Sequence, residues 1–361
     1  MKIEANIVTP HEIFFGEIEF DQNIKSINKI SPIKSEHLWI YPGAIDLHIH
    51  GGGGSDFMQD EDHVRNVLRT HLKRGTTSLL ATTVTEENPH LKKSFEIFAK
   101  VQQSQEKNEA RLVGAHLEGP FIDKNKLGAQ PDKTRGFDFE EVCLLHQIFP
   151  IKVITIAPES GVTLEYVKQM MKMGMIVQLG HTNAEYEEVL PFLKAGVKSF
   201  THLYNAMSGL HHRKPGVVGA ALAHAQFSEI IPDLLHVHEG AIKVAMRSIP
   251  HIYFVTDATA ATGAQDGQYQ LGPLQVTKCQ NGVRLPDGTL AGSCLSMGQA
   301  LENGIKIGLK PDEVAQKISS IPARLIGLDD CGEISIGLRS DFIVTNSEGQ
   351  LYSVYFNGKK Q

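Results

Sequence analysis

Eight strand-length apolar runs recur in one regular rhythm, at residues 44–49, 78–84, 111–117, 152–156, 175–179, 199–203, 233–237 and 252–256. Between most of them lie stretches whose apolar spacing suits an amphipathic helix, among them 61–74, 91–105, 163–173 and 184–195. Gly75 and Gly174 stand where such helices would end in a left-handed residue. Strands that are apolar on both faces are covered from both sides, as parallel sheets are. Eight such strands within about 250 to 300 residues have the size of a (β/α)₈ TIM-type barrel. A doubly wound open sheet is the competing arrangement.

The two ends of the chain read differently. The first forty residues and the tail, 332–359, hold short, part-polar strands broken by turns. They are expected to pair into a small β-sandwich domain, residues 1–41 and 339–361, beside a barrel domain of residues 42–338. A hairpin is expected at 276–284 around Asn281-Gly282, with a second turn at Pro286-Asp287-Gly288. Helical pattern resumes at 297–308 and 311–319.

Composition removes several function classes. Among 361 residues, 35 Lys and Arg face 41 Asp and Glu, a formal net charge of −6, so no basic excess exists to coat a phosphate backbone. Nucleic acid is therefore not an expected partner. No apolar stretch reaches the roughly 18 residues that cross a bilayer, and Met1-Lys2-Ile3-Glu4 meets an acid too early for a signal peptide. The cysteines Cys143, Cys279, Cys294 and Cys331 form no C-x-x-C pair, which suits a reducing cytoplasm. Histidine is the abundant residue, with 17 copies, and it is both the commonest metal ligand and a proton shuttle.

The histidines gather at the C-terminal ends of the expected strands. The first ends His48-Ile49-His50, the third His116-Leu117-Glu118, the fifth Gly180-His181 and the sixth Thr201-His202. The seventh carries His236-Val237-His238 and the eighth Thr256-Asp257. In a parallel barrel that edge is where the loops converge and active sites are built. Imidazole and carboxylate are the ligands a divalent Zn, Fe, Mn or Co ion takes. His48 and His50, two apart, share one strand face, roughly 6.6 Å apart along the backbone. Glu118, His181 and His202 come from separate strands and can supply three ligands with a position left open for water, the mark of a catalytic ion.

Each piece has a plainer explanation alone. H-x-H on a buried strand is often a hydrogen-bonded core pair, Glu118 before Gly119-Pro120 can order a turn, and Thr182 or Asn183 can cap a helix. Their joint placement at strand ends is what favours a metal centre. No H-E-x-x-H, G-x-S-x-G or Walker A pattern is present.

These residues also carry a resemblance. Pro42-Gly43-x-Ile45-Asp46-x-His48-x-His50-Gly51 resembles the strand-one signature of the amidohydrolase superfamily. His116-Leu117-Glu118-Gly119-Pro120-Phe121 is similar to a motif of the N-acetylglucosamine-6-phosphate deacetylases, as are Gly180-His181-Thr182, residues 201–207, residues 255–258 and Leu290-Ala291-Gly292-Ser293. The resemblance implies hydrolysis of the N-acetyl group of N-acetyl-D-glucosamine 6-phosphate. It implies Glu118, His181 and His202 as metal ligands and Asp257 as the catalytic acid and base. It implies sugar-phosphate contacts from Ala129, Gln130, Asn205, Ala206, Arg213 and His236, with Arg213 reaching across a homodimer. Some members lack the H-x-H pair and hold one ion; this chain has His48 and His50, so one or two ions per subunit are expected, zinc first, with iron, manganese or cobalt as alternatives. Gln130, where other members carry His, and Leu234-Leu235 before His236 depart from the family pattern.

Two neighbouring activities compete. A deacetylase for the galactosamine epimer would need the same chemistry. A cyclic-amide hydrolase usually bridges two metals with a modified lysine on strand four, but the only Lys there, Lys152, stands at the strand's start. A scaffold that kept the barrel and lost its chemistry would be expected to lack some of these ligands.

Overall fold

The computed structural model describes residues 1–280 and 282–361; the expected turn residue Asn281 lies outside the described residues. Six parallel strands hydrogen-bond in one sheet: Ala44–Asp46, Thr76–Thr82, Arg111–Glu118, Ile151–Ile156, Ile176–Leu179 and Ser199–Phe200. Phe227–Ile230 and His251–Phe254 form a further parallel pair. The curled sheet and the pair are joined on both sides. Leu203 N–H donates to Glu229 O at 3.0 Å, and Asp257 N–H donates to His48 O at 2.9 Å beside an Ile49–Ala258 parallel bridge. This is a TIM-like α/β fold.

The expected rhythm holds for seven strands and fails for one. The seventh strand is Phe227–Ile230, not 233–237; the later segment is a loop leading to helix Glu239–Ser248. Leu234 has a φ of 64°, a left-handed conformation that no extended strand contains. The helices follow their sequence signals. Helix Glu61–Leu72 begins at Asp60, whose side chain accepts from His63 N–H, and it buries Val64, Val67, Leu68 and Leu72. Burying each of those large aliphatic side chains contributes about 1.5–3 kcal/mol. Gly75 and Gly174 follow their helices with φ of 104° and 88°.

The chain ends meet in one seven-stranded sheet: Lys359–Lys360, Leu351–Phe356, Phe342–Thr345, Trp39–Pro42, Lys2–Val8, Ile13–Phe20 and Ile24–Ser31, in that order. It has its own apolar cluster, including Ile7, Ile18, Phe20, Ile24 and Phe342. After the eighth barrel strand, Gly267–Leu271, Leu274–Cys279 and Gly282–Arg284 form a small antiparallel sheet. The expected hairpin is its last two strands, with Cys279 opposite Gly282. Among the described residues no helix is long and apolar enough to cross a membrane.

Candidate active site

Strand ends deliver their polar side chains to one point. Nε2 atoms of His48 and His50 stand 3.3 Å apart. Glu118 Oε1 lies 3.1 Å from Nε2 of both His181 and His202, and 3.3 Å from His48 Nε2. Its Oε2 is 3.2 Å from His50 Nε2. Asp257 Oδ1 completes the cluster, 3.2 Å from His50 Nε2 and 3.4 Å from His48 Nε2. All six residues are buried, Asp257 the most open at 9% exposure.

The donor set fits a cation. His181 Nε2 faces His202 Nε2 at 3.0 Å. Around a tetrahedral ion with bonds of about 2.0–2.1 Å, ligand atoms stand roughly 3.3 Å apart, the spacing seen throughout this cluster. Electrostatics agree. Burial alone would push Glu118 and Asp257 up, but His48 and His181 hold Glu118 well below the usual carboxylate range, and His48 and His50 bring Asp257 down to about 2. Burial alone would push His48 and His50 down, but Glu118, Glu229 and Asp257 hold His48 well above its ordinary value, and Asp257 and Glu118 raise His50 to about 9. An anionic nest of this kind demands positive charge, either protons on the rings or a divalent cation in their place.

The backbone is bent to make the cluster. His181, His202 and Asp257 have φ of 47°, 25° and 49°. A non-glycine residue held in such a region costs on the order of 1–3 kcal/mol, and it persists only where surrounding bonds fix it. Those bonds are present: Asp123 N–H donates to His181 O at 2.9 Å, and Ser293 N–H to Asp257 O at 2.7 Å.

A cavity of about 250 Å³ opens on the cluster. His50, Glu118, His181, His202 and Asp257 line it, together with Ala129, Gln130, Asn205, Ala206 and His236, so ten of the twelve expected site residues are brought together. His48 lies against the same group, wholly buried. Arg213 does not line this cavity; it is exposed on the loop closed by a His211–Lys214 bridge, with Nη1 donating to His212 Nε2 at 2.7 Å.

Some residues have more to do than line a wall. Gln130 Nε2 donates to Glu118 Oε2, and its Oε1 accepts from Thr85 N–H at 2.7 Å, so this amide holds the Glu118 carboxylate in place. His236 is fixed through Nδ1, 2.7 Å from Asp233 Oδ2. His236 and His238 sit in the loop beyond the true seventh strand, where His238 Nδ1 accepts from Gly240 N–H and caps a helix.

Along residues 39–360 the sequence matches the Amidohydrolase family. The chain belongs to that family. Among relatives of this amidohydrolase, the N-acetylglucosamine-6-phosphate deacetylase of Bacillus subtilis (strain 168) is 36% identical over 321 residues, 86% of this chain and 81% of that protein. An N-acetylgalactosamine-6-phosphate deacetylase of Escherichia coli O157:H7 is 33% identical over 329 residues, 88% of this chain and 86% of that protein. A solved structure of N-acetyl-D-glucosamine-6-phosphate deacetylase from Mycobacterium smegmatis, an aspartate-to-alanine variant in complex with N-acetyl-D-glucosamine-6-phosphate, aligns with a TM-score of 0.91 at 27% identity. That alignment covers 100% of this chain and 98% of that one.

Two residues of the amidohydrolase site, Glu229 and Asp233, escaped the sequence reading. Glu229, on the true seventh strand, places Oε2 2.8 Å from His48 Nδ1. Asp233 anchors His236. Gly292, within the Leu290-Ala291-Gly292-Ser293 motif, has φ of 56° and lines the cavity beside Asp257. The run Phe227-Ser228-Glu229-Ile230 is short and half polar, so no local pattern marked Glu229.

Proposed function

We propose that this amidohydrolase removes the acetyl group of N-acetyl-D-glucosamine 6-phosphate, giving D-glucosamine 6-phosphate and acetate. The observation that carries the reading is the convergence of Glu118, His181, His202 and Asp257 on one cavity, in a chain whose relatives are named for that reaction.

An amide is resonance-stabilised and its nitrogen leaves poorly, so water must be activated, charge on the carbonyl oxygen stabilised and the amine protonated. A divalent cation, when bound, supplies Lewis acidity that brings the pKa of water down to about 7 and favours negative charge on the carbonyl oxygen. Glu118, His181 and His202 are the residues proposed to hold it, with His48 and His50 available to a second. Zinc is the proposed ion, and iron, manganese or cobalt suit the same donors. Asp257, acidified by His48 and His50, is ionised at neutral pH and can take the proton of water. The same carboxyl then returns that proton to the departing nitrogen. Lys152 stands at the far, N-terminal start of strand Ile151–Ile156, which weighs against a lysine-bridged cyclic-amide hydrolase.

Ala129, Gln130, Asn205, Ala206 and His236 are proposed to contact the sugar phosphate. Arg213, whose guanidinium suits phosphate oxygens, is proposed to reach the cavity of a second subunit in a homodimer, because its own loop lies outside this one. We further propose that the end-strand sheet packs as a β-sandwich domain of residues 1–41 and 339–361 beside the barrel domain 42–338, in a cytoplasmic enzyme. The relative from Escherichia coli favours a second reading, the galactosamine epimer as substrate. Acetate release from both epimers by zinc-loaded protein separates them: faster turnover of the gluco substrate is expected, and preference for the galacto epimer overturns the assignment.

A further inference from the structure

The small antiparallel sheet after the eighth barrel strand lends one residue to the cavity wall. Along Gly267–Leu271 the side chains alternate, with Gln268 and Gln270 exposed and Leu271 buried. Leu271 opposes Leu274 across a tight turn at Gly272-Pro273, where Gly272 takes a φ of 53°. The turn is pinned to the barrel. Gly272 N–H donates to Asp56 Oδ2 at 3.2 Å, and a Cβ on Gly272 would stand 2.7 Å from Val84 Cγ2. Leu271 belongs to an apolar cluster with Val84 and Ala291, against which Ala129 packs, and it lines the cavity that holds Glu118 and Asp257.

The cavity has two chemically different sides. Asn205 and His236 follow the sixth and seventh barrel strands and are polar. Val84 follows the second strand and Ala129 the third. In a ring of eight strands the second and third stand across from the sixth and seventh, so Leu271 rests on the side opposite Asn205 and His236. The central cluster draws on both sides, Glu118 from the third strand and His202 from the end of the sixth. A secondary amide is trans, so the substituent on its nitrogen and the carbon chain on its carbonyl point in opposite directions. An acetamide whose carbonyl lies at the cluster, with its sugar towards Asn205 and His236, sends its methyl group to Leu271 and Ala129.

We propose that Leu271 is a specificity-determining residue that limits the acyl group to acetyl. The inference rests on the deacetylase reading above and deepens it. Val84 and Ala291 back this leucine, and the Asp56–Gly272 bond ties its turn down, so it cannot retreat from a longer chain without breaking that packing. A packed apolar wall yields to an added methylene only at a cost. Such a wall separates substrates that differ by one methylene by about 10- to 200-fold.

The test compares N-acetyl- and N-propionyl-D-glucosamine 6-phosphate, in each of which water breaks the amide C–N bond to give glucosamine 6-phosphate and the matching carboxylate. Zinc-loaded wild type is expected to lose about tenfold or more in kcat/KM from acetyl to propionyl. Leu271→Ala is expected to raise the propionyl-to-acetyl ratio of kcat/KM by about tenfold or more. Leu271→Val, a smaller change, should move the ratio in the same direction and serves where the alanine variant does not fold. General damage lowers both rates and leaves the ratio where it was, and an unchanged ratio in the folded variant overturns the proposal. So does wild type that cleaves the propionyl substrate as fast as the acetyl one. Either result, from a wild type that releases acetate, overturns this assignment alone. Release of no carboxylate from either substrate refutes the deacetylase reading, and the role of Leu271 with it.

Discussion

The hydroxyl of Thr256 donates to Asp46 Oδ2 at 2.6 Å, tying the end of the eighth barrel strand to the first. Oδ1 of the same carboxylate accepts from the N–H groups of His48 and Thr256, each at 3.3 Å. One buried side chain therefore sets the register between the strand that carries His48 and His50 and the strand that carries Asp257. Barrel closure and ligand placement share a single hydrogen-bonded joint.

Thr256→Val keeps the shape of the joint and removes its strongest donor. A buried acceptor losing its partner costs about 1–3 kcal/mol. Urea denaturation of the zinc-loaded variant should show a loss in that range, with faster release of zinc to chelator than in wild type. An unchanged midpoint would mean that the Asp46 contact does not support the fold.

Asp257→Asn leaves Glu118, His181 and His202 in place. The variant is expected to fold, to retain zinc at those three ligands and to lose about 10²- to 10⁴-fold or more in kcat, the range for removing a general acid and base. Near-wild-type acetate release by zinc-bearing Asp257→Asn would remove Asp257 from the chemistry.

Arg213 lies on an exposed loop outside the cavity, so its replacement should leave the monomer's fold intact. Arg213→Ala is expected to raise KM for N-acetylglucosamine 6-phosphate at least tenfold while changing turnover of unphosphorylated N-acetylglucosamine little. Equal effects on the two substrates would separate Arg213 from phosphate binding. Sedimentation at working concentration tests the accompanying homodimer.

His71 is wholly buried, and its Nε2–H donates to Gly51 O at 2.9 Å. Burial, with the nearby Arg74 charge, brings it down to about 4, against about 6.5 in the unfolded chain. The native state therefore resists protonation that the unfolded chain accepts. The stability present above pH 6.5 is lost as pH falls from 6.5 towards 4, a contribution of about 3 kcal/mol. Denaturation of wild type and His71→Gln at pH 7.5 and 4.5 measures it. The variant should show a smaller acid penalty, and an identical penalty would place the sensitivity elsewhere.

The residues of the central cluster were legible because each obeys a local rule: a polar side chain at the C-terminal end of a strand-length apolar run. His48, His50, Glu118, His181, His202 and Asp257 can all be found that way. Glu229 could not. Its strand has only four residues, Phe227–Ile230, with Ser228 and Glu229 at its centre, and it reads as weakly polar. The more apolar segment before His236 drew the strand assignment, although Leu234 adopts a left-handed backbone there. What makes a charged residue tolerable on the true strand is His48, 181 positions away, and no window of sequence contains both. Gln130 was readable as a cavity residue, but its grip on Glu118 required the fold to bring Thr85 behind it.

The central claim is that this cluster grips a cation that arms water against an acetamide. It is tested most directly by titrating chelator-stripped protein with zinc while following acetate release from N-acetylglucosamine 6-phosphate. The stripped protein should be inactive, and acetate release should return in step with bound zinc. Undiminished acetate release from fully stripped protein would contradict it.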